Sequence, residues 1–218
     1  MPNGIVELQG YSASSRNPFS YEKIEQVDRD VDTAWLTLEE ITQQLNLDGD
    51  ESQDSYLLSL ELATRMVIED FLGMSIFATQ YRVYYGNATN VNTQAYLDLP
   101  EVSQGSAGVT VNAVSYYNSA TPPVLTALDP TSYYYDPTGN KVIVQAFPSE
   151  VNNFMSNPLV VLYTSNASIY ATYPVIKQAG LLMLTHLYNN RSDTSVELLR
   201  KIPFGVEQLL RPYKPLVM

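Results

Sequence analysis

The segment that most constrains the fold lies between Leu36 and Gly73 and reads LTLEEITQQLNLDGDESQDSYLLSLELATRMVIEDFLG. Thr37 followed by Glu40 is a capping-box pattern, in which a hydroxyl and a carboxylate each satisfy a free backbone N–H at a helix start. It predicts a short first helix. The acidic run that follows breaks this helix, and Asp50 or Ser52 is expected to cap a second one.

The second predicted helix runs from Gln53 to Leu72, and Gly73 suits the position just after its end. Its apolar residues extend around most of its circumference, so it must lie centrally in a bundle or pack against another subunit. One stripe is formed by Tyr56, Leu60, Ala63, Val67 and Phe71, and it is widened by Leu57, Leu58, Leu62, Met66 and Ile68.

Between Thr79 and Thr164 the pattern changes to short runs of β-branched and aromatic residues separated by Gly, Pro and Asn turn signals. Six strands are predicted, and they indicate a compact antiparallel sheet, a small sandwich or an open barrel. The predicted strands are 81–85, 96–99, 109–117, 133–135, 141–145 and 159–163.

A helical pattern returns at Pro174, a favourable first helical residue. Its predicted buried stripe is Ile176, Ala179, Met183 and Leu187, and Asn189 and Asn190 end the helix. A last short helical unit covers 203–213, with Gly205 near its start and Pro212 at its end. The tail 214–218 is apolar and too short to build a core, which makes it a candidate for attachment to a partner.

These elements predict an α+β fold, a small antiparallel helical bundle with an inserted antiparallel β domain. The predicted divisions are an extended arm at 1–34, the bundle at 35–76 and 172–212, the β domain at 77–171 and the tail at 213–218. The arm is polar and lacks periodicity, so it is expected to become ordered only against a partner.

Charge and composition exclude several functions. The chain has 23 acidic and 12 basic residues, a net charge of −11, and this argues against a nucleic-acid-binding surface. It has no cysteine and one histidine, His186, which excludes thiolate chemistry and any site with two histidines. No catalytic glycine motif is present. We therefore expect no enzyme activity, cofactor or metal site; a small hydrolase or binding module is the least favoured alternative.

One acidic pattern imitates a calcium-binding loop. Asp28, Asp30 and Asp32 alternate, and Glu39 stands at the twelfth position. However, Thr33 replaces the glycine that such a loop requires at its sixth position, and no helix is predicted before it. The acidic turn of Asp48, Asp50, Glu51 and Asp54 is better explained as helix capping and solvated charge.

The order of these segments resembles the head–tail connector, or adaptor, proteins of tailed bacteriophages. The resemblance covers about residues 35 to 214 and rests on the opening helix pair together with five later segments in order: YRVYY, VTVNAVSYYN, LDPTSYYYDPTGNKVIV, VIKQAGLLMLTHLYNNR and IPFGVEQLLRPYK. The 34 residues before it are longer than in that family, and the terminal PLVM also departs from it.

The resemblance implies a structural virion protein in the neck between capsid and tail, assembled in the host cytoplasm. Its subunits would form a ring, commonly of twelve copies, beneath the portal protein. The ring would contact further neck or tail proteins and let genomic DNA pass without sequence-specific binding; no membrane is involved. Another neck component, a tail terminator or stopper, is the alternative.

Three sets of residues are candidates for these contacts. The subunit-interface candidates are Tyr56, Leu57, Leu60 and Val67. The acidic candidates for the channel or its rim are Asp48, Asp50, Glu51 and Asp54. The candidates for portal docking are Arg211, Pro212, Tyr213, Lys214, Pro215, Leu216, Val217 and Met218.

Overall fold

The computed structural model describes residues 21–47, 51–86, 94–100, 102, 108–191 and 203–214. Within these ranges the chain divides into two compact units. The helical unit contains residues 29–79 and 166–214, and the β unit contains residues 21–28, 80–102 and 109–165. The predicted α+β class is confirmed.

Four α-helices form most of the helical unit: α1 (Leu38–Leu45), α2 (Asp54–Leu72), α3 (Pro174–Asn189) and α4 (Phe204–Leu210). Short 3-10 turns at Glu51–Gln53, Ile169–Thr172 and Arg211–Tyr213 precede or follow them. No helix in the described ranges is long and apolar enough to cross a membrane.

The local signals at the helix ends are mostly confirmed. Thr37 accepts from the Glu40 N–H at 3.2 Å, and the Glu40 carboxylate accepts from the Thr37 N–H at 2.9 Å. Gly73 ends α2 with φ of 68°, a left-handed conformation that costs glycine little. The prediction that Ser52 caps α2 is wrong, because Gln53 occupies the N-cap position without a side-chain cap bond. Asp50 lies outside the described residues.

The helical core forms around the single tryptophan. The indole of Trp35 is almost fully buried and donates to the Ala171 carbonyl at 3.0 Å. It lies so close to Gly180 of α3 that a β-carbon there would come within 2.7 Å of the ring. The buried residues of α3 are Ile176, Ala179, Gly180, Met183 and Leu184, so three of the four predicted positions are buried. Leu187 packs against the core while partly exposed.

The described residues of the β unit form eight strands: β1 (Tyr21–Arg29), β2 (Thr79–Tyr85), β3 (Ala95–Asp98), β4 (Val109–Tyr117), β5 (Leu125–Ala127), β6 (Tyr133–Asp136), β7 (Lys141–Val144) and β8 (Leu159–Ser165). The last residue of β1 and the first residue of β2 belong to the helical unit. They form a five-stranded sheet of order β1-β2-β8-β4-β5 and a three-stranded sheet of order β3-β7-β6. The strands β4 and β8 pair antiparallel, with a register shift between Val111 and Ala113.

Both sheets contribute to one apolar core. Strand β2 alternates between buried and half-buried residues, as expected where one face of a sheet covers a core. Its Tyr85 hydroxyl donates to the Asp98 carbonyl at 2.7 Å, so the polar tip of a buried ring is satisfied. The other large buried residues include Val83, Leu97, Tyr116, Val142, Phe147, Val161 and Tyr163.

All six predicted strands are present, with ends that shift by at most two residues. Two strands were missed. Strand β5 has three residues, too few to show alternation. Strand β1 falls within the predicted arm, and its side chains are almost all exposed, so it lacks the apolar alternation that identifies a half-buried strand. The arm residues 1–20 lie outside the described ranges.

Candidate functional site

The helix α2 has an inverted distribution of charge. Its buried residues include Glu61, Arg65 and Glu69, which recur every four residues and so share one face. Large apolar side chains lie exposed on other positions of the helix. In a folded protein the charged residues of a helix normally lie at the surface and the large apolar residues inside, since burying a charge without a partner is very unfavourable. The partners of these charges therefore explain the arrangement.

The partners lie mainly in the segment Arg29–Leu36, here called the strap, which precedes α1. The Glu61 carboxylate accepts from the backbone N–H groups of Trp35 at 3.0 Å and Leu36 at 3.3 Å. These two donors lie just before the N-cap Thr37 and are buried. A carboxylate from another helix thus satisfies backbone groups that the strap itself cannot pair.

Arg65 holds the middle of the strap. Its side chain is fully buried, and its guanidinium donates to the carbonyls of Thr33 at 2.7 Å and Asp30 at 2.6 Å. The same group lies 4.9 Å from the ring centre of Phe77, a favourable cation–π distance. The planar fork of arginine can reach two carbonyls at once, which a lysine cannot do in the same way.

Glu69 connects two chain segments. One carboxylate oxygen accepts from the Ile76 N–H at 2.6 Å, just after the helix, and the other forms an ion pair with Arg29 at the start of the strap. The three side chains of α2 therefore hold the strap at both ends and in its middle.

We call Glu61, Arg65 and Glu69 the ladder. Burial changes the protonation equilibria of the first two. Desolvation raises the pKa of Glu61, although the two backbone donors and Arg65 oppose the change. Desolvation also lowers the pKa of Arg65, and the nearby Glu61 opposes it. Each charge is thus partly compensated by the other through their electrostatic attraction, while their hydrogen bonds go to backbone groups of the strap.

The side of α2 that faces solvent carries large apolar side chains beside the exposed Ser55, Ser59 and Asp70. We call the exposed residues Tyr56, Leu58 and Met66, together with Ala63, the outward face; the first three are 37%, 42% and 38% exposed. The two charged residues between Ser55 and Val67, Glu61 and Arg65, are both buried. The four residues of the outward face are themselves uncharged, which is the composition of an interface core more than of a solvated helix. Charge borders this face, because Asp70 is exposed one turn after Met66 and the Arg191 guanidinium lies 4.7 Å from the ring centre of Tyr56.

The four subunit-interface candidates are placed differently. Tyr56 belongs to the outward face, while Leu60 and Val67 pack against the helical core and remain partly exposed. Leu57 is fully buried inside the helical unit, so it presents no surface to a neighbouring subunit. The sequence placed Tyr56, Leu60 and Val67 on one apolar stripe, to be buried in a bundle or against another subunit. In the structure none of the three is fully buried, and the helix turns its charged residues Glu61, Arg65 and Glu69 toward the strap.

The portal-docking candidates begin in a well-anchored turn. The ring of Tyr213 packs edge-on against Tyr170 and Tyr173 at centroid distances of 5.5 and 5.7 Å. The Lys214 ammonium lies 5.1 Å from the ring centre of Phe71 in α2. Arg211 and Pro212 are exposed. Residues 215–218 lie outside the described ranges, so the structure shows where the tail leaves the helical unit.

Of the acidic candidates, Asp48 and Asp50 lie outside the described residues. Glu51 is exposed in the 3-10 turn before α2, and Asp54 is the half-buried first residue of the helix. Negative charge at this position is favourable for the helix dipole. Arg191 lies near the same helix start, with its guanidinium between the rings of Tyr56 and Tyr188.

In the described part of the chain, no group of three or more His, Asp or Glu side chains is arranged to hold a metal ion. The carboxylate of Asp30, part of the calcium-like pattern, accepts instead from the N–H groups of Asp32 at 3.2 Å and Thr33 at 2.9 Å. Those bonds lower the pKa of Asp30, led by the Thr33 N–H. The carboxylate shapes the strap.

Sequence reasoning did not single out Glu61, Arg65 and Glu69. Their spacing of four residues within an apolar helix was the available signal, because it places all three on one face. The spacing alone does not say whether that face meets water or another segment of the chain.

No protein-family model matches the chain, and neither does any curated protein. Solved structures do match. A chain in the neck of an empty gene transfer agent particle, computed with C6 symmetry, aligns with a TM-score of 0.62 and 19% identity over 90% of this chain and 97% of that chain. Chains in the virion of the native particle and in its neck computed with C12 symmetry align over the same shares at 18% identity, with TM-scores of 0.60 and 0.56. The likeness, which agrees with the connector resemblance in the sequence, is one of fold.

Proposed function

We propose that this chain is a structural subunit of a phage or phage-like neck, which forms a ring between the portal and the tail. The observation that carries the proposal is the shared fold: the likeness to neck chains spans nine-tenths of this chain and nearly all of theirs. One of those necks was computed with C12 symmetry, which supports a ring of twelve copies for this chain as well.

The outward face of α2 supports lateral contact between copies. A ring of identical subunits closes through heterologous contacts, in which one surface of each copy meets a different surface of the next. Tyr56, Leu58 and Met66 are large apolar groups exposed on a helix that buries three of its charged side chains. Contact with a neighbouring copy removes this apolar surface from water.

The C-terminal tail is the proposed attachment to the portal. Tyr213 and Lys214 are held on the helical unit by aromatic and cation–π contacts, so the tail leaves from a fixed point. A short apolar segment leaving a rigid base suits insertion into a groove of a partner protein.

The first test is assembly on the portal. The purified chain, mixed with its cognate portal ring, is expected to add a second ring in electron micrographs. Portal rings that stay bare at saturating protein would contradict the proposal. Deleting residues 211–218 should leave a folded protein that portal rings no longer retain in a pull-down; undiminished retention would exclude the tail as the attachment.

The second test addresses the lateral contact. Met66→Glu adds charge to the outward face and should prevent ring formation, since a charge buried at an interface without a partner is strongly unfavourable. Val31→Glu is the matched control, because Val31 is equally apolar and 48% exposed but lies on the strap. Rings from the Met66 variant as stable as wild-type rings would remove the outward face from the interface.

The channel assignment concerns the acidic end of α2. A negative wall lets DNA pass without adhering, because like charges repel. A map of the ring should therefore place Asp48, Asp50, Glu51 and Asp54 on the lumen or its rim. A map that places all four on the outer wall would end this part of the proposal.

A further inference from the structure

The β unit carries a second uncharged surface, at the end of the five-stranded sheet where β4 ends and β8 begins. We call residues 117–125 and 151–157 the platform. The two segments are joined by a hydrogen bond from the Asn152 N–H to the Tyr117 carbonyl, at 2.8 Å. At the border of the platform, the Ser119 N–H donates to the carbonyl of the exposed Glu150 at 2.9 Å. Asn118 and Val151 also form a β-bridge. The platform is therefore one connected surface.

A phenylalanine projects from the platform into solvent. The side chain of Phe154 is completely exposed. The turn that presents it is fixed by the buried Asn152, whose side-chain oxygen accepts from the Phe154 N–H at 2.9 Å and whose amide donates to the Asn118 carbonyl at 3.2 Å. A buried side chain thus maintains an exposed ring that contributes nothing to the fold's own core.

An open groove of about 470 Å³ lies beside this ring. Tyr84 of β2 and Tyr117 of β4 line it together with the loop 154–157. Lys23 of β1 is the charged member of the lining, and it is paired with Glu25 at 2.5 Å. A protruding ring beside an aromatic groove forms a surface of complementary shape, on which a partner's side chains can pack.

The platform is also uncharged in a strongly acidic chain. Residues 109–128 and 151–176 contain no Asp, Glu, Lys or Arg, although the chain carries a net charge of −11. Two copies of such a chain repel wherever their acidic residues meet. Contact between copies is therefore most favourable where neither surface carries charge, and interface cores are depleted in charge for the same reason.

We propose that the platform is a contact surface for a second copy of this chain, with Phe154 as its central anchor. The inference rests on the proposed ring and deepens it. A heterologous ring needs two unlike surfaces on every chain, and the outward face of α2 and the platform are two such uncharged surfaces. Fully desolvated aromatic anchors are the residues that dominate the stability of such contacts.

The test is Phe154→Asp in the full-length chain. Because the ring is fully exposed, the variant should fold as the wild type does, with unchanged Trp35 fluorescence and an unchanged melting temperature. Mass photometry of rings on the portal, over a dilution series, should show that half-dissociation requires a protein concentration about tenfold higher or more. Tyr96→Asp is the matched control, since Tyr96 is an exposed aromatic of β3 outside the platform, and it should leave the midpoint unchanged.

Equal midpoints for Phe154→Asp and the wild type would overturn the proposal. Rings of normal stability that no longer bind a tail-side protein would also overturn it, because the platform would then face a different partner. Sedimentation velocity without portal keeps the two proposals distinguishable: at high concentration the wild type should self-associate more than Phe154→Asp. If the wild type and Phe154→Asp sediment identically, the platform is rejected as a contact between copies, even where rings form on the portal. If the two proteins sediment differently but portals stay bare, only the neck function is rejected.

Discussion

The helical unit and the β unit use charge in opposite ways. The β core contains aliphatic and aromatic side chains, and the hydroxyl of its buried Tyr85 donates to the Asp98 carbonyl. The helical core contains a ladder of three charged residues on α2 that hold the strap through its backbone groups. The charged side chains of the ladder are buried, while the side chains of the outward face are apolar.

This difference shows how an irregular segment can be packed against a helix. A strand satisfies its backbone groups through its neighbours, whereas residues 30–36 of the strap belong to no strand or helix and need side-chain partners. The charges that supply those partners are removed from the surface. Because these charges are buried, large apolar side chains of the same helix, Tyr56, Leu58 and Met66, remain exposed.

The largest expected effect comes from breaking the ladder at its centre. Arg65→Met should lower the free energy of unfolding by about 3–5 kcal/mol, because the strap carbonyls lose their donors and Glu61 loses its compensating charge. Urea unfolding followed by the fluorescence of Trp35 measures it in the helical unit. Arg82→Met is the control, since Arg82 is a half-exposed strand residue 3.6 Å from Glu25 and should change stability by at most about 1 kcal/mol. If Arg65→Met and Arg82→Met both lower the free energy of unfolding by the same small amount, buried charge does not distinguish the helical unit from the β unit.

A cavity in the β core gives the contrasting result. Leu97→Ala should destabilise the protein by about 2–5 kcal/mol, since Leu97 is fully buried among apolar side chains. The loss should be the same at pH 5 and pH 8, because nothing in this core that titrates in that range is disturbed. Circular dichroism in the tyrosine band follows the transition. If the destabilisation by Leu97→Ala changes strongly with pH, titratable groups contribute to the β core as they do to the helical core.

A smaller effect is expected at the junction of strap and α1. Thr37→Ala removes the hydroxyl of the capping box and should cost about 1 kcal/mol. Thr42→Ala is a suitable comparison, because the Thr42 hydroxyl bonds back to the Leu38 carbonyl within the helix and caps nothing. Thermal unfolding measures the stability of both variants. A loss of stability in Thr42→Ala as large as that in Thr37→Ala would contradict the role of the cap.

The smallest expected effect is a change in pH dependence. Burial raises the pKa of Glu61 in the folded protein, so folding favours its protonated form. Its contribution to stability is thus fully present below its ordinary value of 4.5 and is lost as pH rises through the raised folded value. Glu61→Gln keeps an acceptor but does not titrate. The stability of the wild type relative to this variant should therefore fall as pH rises from about 4.5; a relative stability that rises with pH would show that the paired charge stabilises the fold.

Much of the architecture could be predicted because its signals are local. The capping box at Thr37, the glycine at position 73 and the proline at 174 act through neighbouring backbone groups, and each marks the helix end expected of it. The strands β2, β4 and β8 were predicted because runs of β-branched and aromatic residues stand between turn signals. Strand β1 could not be found in this way, since a strand exposed on both faces shows no alternation.

The sequence by itself determined the helices, six of the eight strands in the described residues and the excess of apolar residues on α2, because these follow from periodicity and composition. The tertiary structure decided which face of α2 is buried. Periodicity places Glu61, Arg65 and Glu69 together on one face, but only the path of the strap turns that face inward, where its backbone groups supply the partners. Leu57 became core and Leu58 became surface for the same reason: the orientation of a helix is set by what packs against it.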